Sequence, residues 1–188
     1  IVRAFAKHSG KRVGILQFDT HLDLRATDSD GPTNGTPIRQ LLDAGVVRGE
    51  DVYNIGLHGF YNASSLIRAA DHYGVNRITL KDFRRHGAAT VITDVMQQLA
   101  EKVDLVYVTV DMDVLDIAYA PGVPASTPGG MRTDELFDLL HEVGKYEIVR
   151  GMDFVCLDPH RDTSELQTVK AGAYAFLTMM VSRFVHLK

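Results

Sequence analysis

Apolar and polar positions follow two recurring patterns along the chain. Predominantly apolar runs at Val13–Phe18, Val52–Leu57 and residues 77–80, 105–110 and 148–157 read as strands of a sheet covered on both faces. Between them the apolar residues recur at helical intervals. In residues 88–103, Val91, Val95, Leu99 and Val103 are spaced four apart. In residues 133–146, Leu136, Leu139, Leu140 and Val143 share one face behind Thr133 as cap. Pro37 at a first helical position, with Thr36 as cap and Gly45 as terminator, predicts another helix. Ser64 as cap and Gly74 as stop frame a helix over 64–72. Residues 1–9 read as the tail of a helix closed by Gly10, and 165–183 as the closing helix. Residues 20–36 form a polar loop. Strands separated by such helices predict βαβ units, hence an α/β fold with a mostly parallel sheet covered on both faces. No repeat or linker interrupts the pattern, so residues 1–188 read as one domain.

Composition leaves this picture intact and narrows the function. With 188 residues, 45% hydrophobic and 23% charged, the chain is ordinary for a globular protein and long enough to bury a core. A net charge of −4, with Lys and Arg scattered, argues against nucleic-acid binding. No apolar run approaches the roughly twenty residues of a membrane span. The lone Cys156 excludes an intrachain disulfide framework and fits a reducing, cytoplasmic setting. The chain opens on helix-like Ile1-Val2-Arg3 rather than a signal peptide, and without an initiator Met it reads as a fragment or a processed chain.

The polar residues that stand out lie at strand ends. Val13–Phe18 runs into Asp19-Thr20-His21-Leu22-Asp23, which gathers two carboxylates and an imidazole. Alternate residues of a continuing strand share a face, which lets Asp19, His21 and Asp23 converge. Residues 105–110 end the same way, in Asp111-Met112-Asp113. Open parallel sheets place their ligands beyond the carboxyl ends of the strands. Oxygen and imidazole donors suit Mn, Fe(II), Ni or Zn, while the lack of thiolates argues against a structural zinc site. Two cations can share these donors if one or two carboxylates bridge.

These segments resemble the ureohydrolase family of arginases, agmatinases and formimidoylglutamases. That family carries Asp-Ala-His-x-Asp after one strand and Ser-x-Asp-x-Asp-Val-Leu-Asp-Pro-x-x-Ala-Pro-Gly after another. Here the second reads Thr109-Val110-Asp111-Met112-Asp113-Val114-Leu115-Asp116, followed by Ala120-Pro121-Gly122 and Thr127-Pro128-Gly129-Gly130. The resemblance covers essentially the whole chain, but the chain does not cover the whole family domain. It implies an arginase-type three-layer α/β/α sandwich holding two divalent cations, expected to be Mn(II). It also assigns Asp19 and Asp111 as bridging ligands, His21 and Asp113 to one metal and Asp23 to the other. Asp23 and His21 are the expected catalytic residues, Asp23 accepting a hydrogen bond from the hydroxide that such a pair generates from water. A further ligand, the His of a Gly-Gly-Asp-His-Ser motif, is expected just before Ile1, along with the first strands of the sheet. His8 is a poor substitute for it.

The loop Gly31-Pro32-Thr33-Asn34-Gly35-Thr36-Pro37-Ile38-Arg39 matches the family's substrate loop. Arginases and agmatinases usually carry His before the Gly, so Asn34, Arg39 and Arg25 sit nearer the formimidoylglutamase pattern. Arginine binds carboxylate bidentately, and Arg25 and Arg39 beside a metal pair suggest a substrate with an acidic end. The alternative is that both are solvated surface groups. Cys156 stands where the family usually has a Glu that contacts guanidinium or formimidoyl nitrogens. Asp158 compensates only if a regular strand sets it on the same face. A buried Cys is otherwise a small hydrophobe. His58 reads as a hydrogen-bonded structural residue, Asp116 as a brace for the following loop, and His86, His141 and His160 as helix-end or loop residues.

The expected function is hydrolysis of a C–N bond in a linear amidine, with Asn34, Arg25, Arg39 and Cys156 as substrate contacts. N-formimidoyl-glutamate, giving glutamate and formamide in histidine breakdown, is the preferred substrate. Agmatine or another guanidino compound is the alternative. A catalytically silent subunit is a second alternative, but it should have lost ligands, and Asp19, His21, Asp23, Asp111 and Asp113 are all present. The expected partners are a small-molecule substrate and further copies of the chain in a homo-oligomer, with no nucleic acid and no membrane.

Overall fold

Each apolar run becomes an extended segment of one parallel sheet. The computed structural model describes residues 1–28 and 31–187; residues 29 and 30 of the polar loop, and residue 188 of the single domain read above, lie outside the described residues. The strands are β1 (Val13–Phe18), β2 (Val52–Leu57), β3 (Asn76–Thr79), β4 (Leu105–Asp111) and β5 (Val149–Val155). Their spatial order is β3-β2-β1-β4-β5, and every neighbouring pair is parallel. Phe18 of β1 pairs with Val110 of β4, so these two strands end side by side.

The helices are α1 (Val2–Ser9), α2 (Pro37–Asp43), α3 (Ser64–Tyr73), α4 (Leu80–His86), α5 (Ala88–Ala100), α6 (Thr133–Gly144) and α7 (Gln167–His186). They build a core on each face of the sheet. On one face Leu16, Phe18, Ile55, Val108 and Val110 meet Ile92, Met96, Leu139, Leu140 and Ala175 of α5, α6 and α7. On the other, Ile15, Val52 and Leu57 meet Ile38, Leu42 and Ala70 of α2 and α3. Successive strand residues thus enter opposite layers, and both layers require apolar side chains. That is why β1, β2 and β4 are predominantly apolar rather than alternating.

The topology positions the site. The chain steps outward from β1 to β2 and β3, returns through α4 and α5, and enters β4 on the other side of β1. The loops leaving β1 and β4 therefore part company and leave a crevice at the carboxyl ends of the strands.

Several boundaries differ from the sequence reading, each for a local reason. Helix α4 is not foreshadowed by apolar spacing. The strand over 77–80 stops at Thr79, whose hydroxyl caps the helix by accepting the Asp82 N–H at 3.1 Å. Ser64 and Thr133 are not caps; those positions belong to Ala63 and Arg132. The first turn of α6 is closed by the Arg132 N–H donating to Glu135 at 2.8 Å. Thr36 holds the cap position of α2, but its hydroxyl engages Thr33 and Gln40. Leu166, left-handed at φ 55°, delays α7 to Gln167. Strand β5 stops at Val155 because Cys156 turns the chain at φ 61°.

Candidate metal centre

Asp19, His21 and Asp23 do not ride on a continuing strand. Strand β1 ends at Phe18, and the chain then follows an irregular loop in which Asp23 is left-handed, at φ 55°. Hydrogen bonds, not pleat alternation, shape this loop; they bring Asp19 and His21 together, whereas Asp23 joins neither group of close donors among the described residues. Asp19 accepts the His21 N–H at 2.5 Å. Asn54 donates to the His21 carbonyl at 2.6 Å. Asn62 clamps the loop twice, accepting from the Leu22 N–H at 3.0 Å and donating to the Thr20 carbonyl at 2.8 Å. Sequence reasoning missed both asparagines. Asn54 carried a signal, since it is a polar residue inside an apolar strand. Gly56 at φ 114° completes the approach, because a Cβ there would lie 2.4 Å from Val114 in the turn after β4.

From β4 the donors arrive through a single 3₁₀ turn, Met112–Val114, in which Asp111 accepts the Asp113 N–H at 2.9 Å. Across the crevice His21 Nδ1 lies 2.9 Å from Asp113 and 3.5 Å from Asp19. Donor atoms of Asp19, His21 and Asp113 all fall within 4.8 Å of one another, and so do those of Asp111, Asp113 and Cys156.

Carboxylates this close and this buried carry a heavy desolvation cost unless a cation shares them. Asp19 is 1% exposed and Asp113 2%. Burial, reinforced by the charges of Asp23, Asp111 and Asp113, holds the Asp19 carboxyl well above its usual range, even though His21 pulls it down. Burial and the charge of Asp111 push Asp23 up to about 7. Burial and the charge of Asp113 do the same to Asp111, also to about 7. For His21 burial works downward, yet hydrogen bonds to Asp113 and Asp19 prevail and raise it to about 10. Gln17, 3% exposed, donates to Asp19 at 2.5 Å while its Oε1 has no partner among the described residues. A buried cluster of carboxylates with one imidazole and an orphaned amide oxygen is a donor set that fits divalent cations.

A cavity of about 250 Å³ opens in front of the donors. His21, Asp23, Asp111 and Asp113 line it, together with Arg25, Asn34 and Gly35. Tyr61, Leu66, Ala125 and Cys156 complete it. The Tyr61 ring packs 4.9 Å from that of His21 and was not anticipated. Gly35 lies against the Arg25 side chain, 2.9 Å from where a Cβ would sit. Cys156 lines the cavity, its sulfur within 4.8 Å of an Asp111 oxygen; burial, then the charge of Asp111, push its thiol up.

Two expected contacts lie elsewhere. Arg39 donates to both Asp43 oxygens, at 3.0 and 2.8 Å, and lies over the Tyr73 ring. One helical turn separates Arg39 from Asp43, which draws the guanidinium along α2 and away from the cavity. Asp158 cannot stand in for a carboxylate at Cys156. The strand has ended before it, and it accepts the His160 N–H and pairs with Arg161 in its own loop. His58 Nδ1 is 2.8 Å from the Gly56 carbonyl, outside the cavity lining. Asp116 braces the loop after the metal carboxylates, accepting the Ala118 and Gly129 N–H groups at 2.8 and 2.6 Å.

A paired carboxylate–imidazole cluster at the switch point of a parallel sheet has a family counterpart. A sequence model of the arginase family matches residues 1–182, and the chain belongs to that family, whose proteins are binuclear-metal enzymes. Its relatives include formimidoylglutamases. That of Halalkalibacterium halodurans is 40% identical over 184 residues, covering 98% of this chain and 57% of the relative. The crystal structure of formimidoylglutamase from Bacillus subtilis matches with a TM-score of 0.92 at 35% identity, over 96% of this chain and 56% of that one. Trypanosoma cruzi formiminoglutamase with Mn2+ matches with a TM-score of 0.87 at 25% identity, over 96% of this chain and 60% of that one. This chain therefore spans little more than half the length of the relatives it matches. Among the described residues no helix is long and apolar enough to cross a membrane.

Proposed function

We propose that the protein is a metal-dependent formimidoylglutamase, cleaving N-formimidoyl-glutamate to glutamate and formamide in histidine breakdown. The observation that carries this reading is one cavity lined by Arg25, Asn34, the carboxylate–imidazole cluster and Cys156, where the family usually has a carboxylate. Asp19, His21, Asp23, Asp111 and Asp113 would hold two divalent cations, and the Mn2+ of the T. cruzi relative supports Mn(II). Such a pair, when bound, supplies a water made nucleophilic at neutral pH and stabilises charge developing on the substrate.

The chain's own residues do the rest. Arg25 offers a bidentate guanidinium to a substrate carboxylate. Asn34, lining the same cavity, adds a neutral amide that can donate and accept. Asp23, which lines the cavity with the cluster, can accept a proton from the attacking water. Cys156 offers no carboxylate for a cationic guanidinium, which disfavours agmatine. A cytoplasmic location is part of the proposal, resting on the single free cysteine. So is a homo-oligomer, supported by Tyr174, Leu177, Val181 and Val185 exposed along α7.

The test is a product assay with Mn(II), comparing N-formimidoyl-glutamate with agmatine and scoring formamide and urea. Preference for the acidic substrate is the expected result. Equal turnover of agmatine would replace this reading with a guanidino hydrolase.

A further inference from the structure

The loop after β2 is stitched to the loop after β1. The Thr20 hydroxyl donates to the His58 carbonyl at 3.1 Å, and Asn62 holds the Thr20 carbonyl and the Leu22 N–H. These bonds fix the backbone on both sides of His21. They leave its imidazole free to swing, because the terminal torsion of a histidine is broad. Resting on the metal-centre reading above, we propose that Tyr61 is a positioning residue for that centre. Its ring holds the His21 imidazole with Nδ1 turned toward Asp113 and Asp19.

Three observations carry this. The two rings lie 4.9 Å apart at 58°, a tilted arrangement within the favourable range for aromatic pairs. Tyr61 also lines the cavity of about 250 Å³ with His21, Asp23 and Asp113, so its ring stands at the site itself. Its place is set by the turn that carries it. Gly59 is left-handed at φ 68°, and a Cβ there would lie 3.2 Å from the Tyr61 ring. Asn62, the next residue, ties the same turn to the His21 loop. Neighbouring residues thus pin one ligand loop twice, Asn62 by its backbone and Tyr61 by its imidazole.

The ring contact does what the hydrogen bond to Asp113 cannot. That bond, 2.9 Å from Nδ1, orients the imidazole only while Nδ1 carries a proton. A cation at Nδ1 displaces that proton to solvent, whereas packing against Tyr61 is available before and after. Holding the ring in place beforehand removes part of the ordering cost of binding.

Calorimetric titration with Mn(II) tests the assignment without using activity. Tyr61→Leu keeps bulk and removes the ring, and it should bind Mn(II) about tenfold more weakly, the scale of an outer contact on a metal ligand. Tyr61→Phe keeps the ring and should bind as the unmodified protein does. Phe60→Ala, in the same turn but fully exposed, should also bind unchanged. Equal affinity in Tyr61→Leu and the unmodified protein would overturn the positioning role and leave the metal centre standing. A tenfold loss in Tyr61→Phe would overturn it too, by assigning the effect to the hydroxyl. The same loss in Phe60→Ala would assign it to the turn as a whole. No Mn(II) binding by the unmodified protein would overturn the metal centre and this role together. If Tyr61→Leu does not fold, nuclear Overhauser contacts between the Tyr61 and His21 rings of the unmodified protein replace it. They should persist when Zn(II), a diamagnetic probe, is added, and their loss on binding would overturn the role.

Discussion

Asp111 links several parts of the site. It accepts the Asp113 N–H, lies within 4.8 Å of the Cys156 sulfur and borders both the cavity of about 250 Å³ and a neighbouring one lined by Gln17, Asp19 and Asp23. Asp111→Asn keeps the shape and removes the charge, so bound metal and activity should fall together, by about a hundredfold or more. Metal content and product assays on the same preparation check this; undiminished activity without metal would contradict it. The arginines divide differently. Arg25→Ala should raise KM for the acidic substrate about ten- to a hundredfold, the worth of a charge-assisted contact of about 1.5–3 kcal/mol. With Arg39 held by Asp43, Arg39→Ala should leave KM unchanged, and steady-state kinetics on both variants separate the two. The sequence makes the donor types legible, because Asp and His follow directly on apolar runs. It does not separate Arg25 from Arg39, because that depends on which way one turn of α2 points.

The strands were readable for a reason that also limits the reading. Burial on both faces makes β1, β2 and β4 predominantly apolar, so their presence is plain, but nothing in an apolar run says where the chain must turn. Thr79 ends β3 by capping α4, and the Thr-x-x-Asp spacing through Asp82 was the available signal. Asp19 to Asp23 looked like a strand because alternate donors suit a pleat, whereas Asn54 and Asn62 hold them as a loop. Asn54→Val keeps an apolar, β-favouring residue in β2 but strands the His21 carbonyl. It should destabilise the protein by about 1–3 kcal/mol and weaken metal binding alongside. Urea denaturation with and without Mn(II) measures both, and a variant as stable as the parent would show that the clamp is dispensable.

Over the whole molecule the crowded cluster ties stability to pH. Asp23 and Asp111 sit at about 7 in the folded chain against an ordinary 3.8. The folded state therefore keeps protons that the unfolded chain has released, and stability falls as pH rises through about 7. His21, raised from 6.5 to about 10, contributes stability that is complete below 6.5 and lost as pH climbs through about 10. Both slopes have the same sign. Metal-free protein should melt at a lower temperature at about pH 8 than at about pH 6, and Mn(II) should flatten the difference. Thermal melts with chelator and with Mn(II) check this, and a metal-free Tm that rises with pH would contradict it.

The placement of the centre between β1 and β4 also has a consequence in time. These strands touch along their whole length, yet β2, β3 and four helices intervene in the chain. Joining them closes the longest loop within the sheet, and such closures are slow. The helices can recover before that seam is made, but a cation-binding site cannot. In refolding from urea, Mn(II) capture should lag behind the helical signal, and the bound ion should then slow the parting of the two strands on the way out.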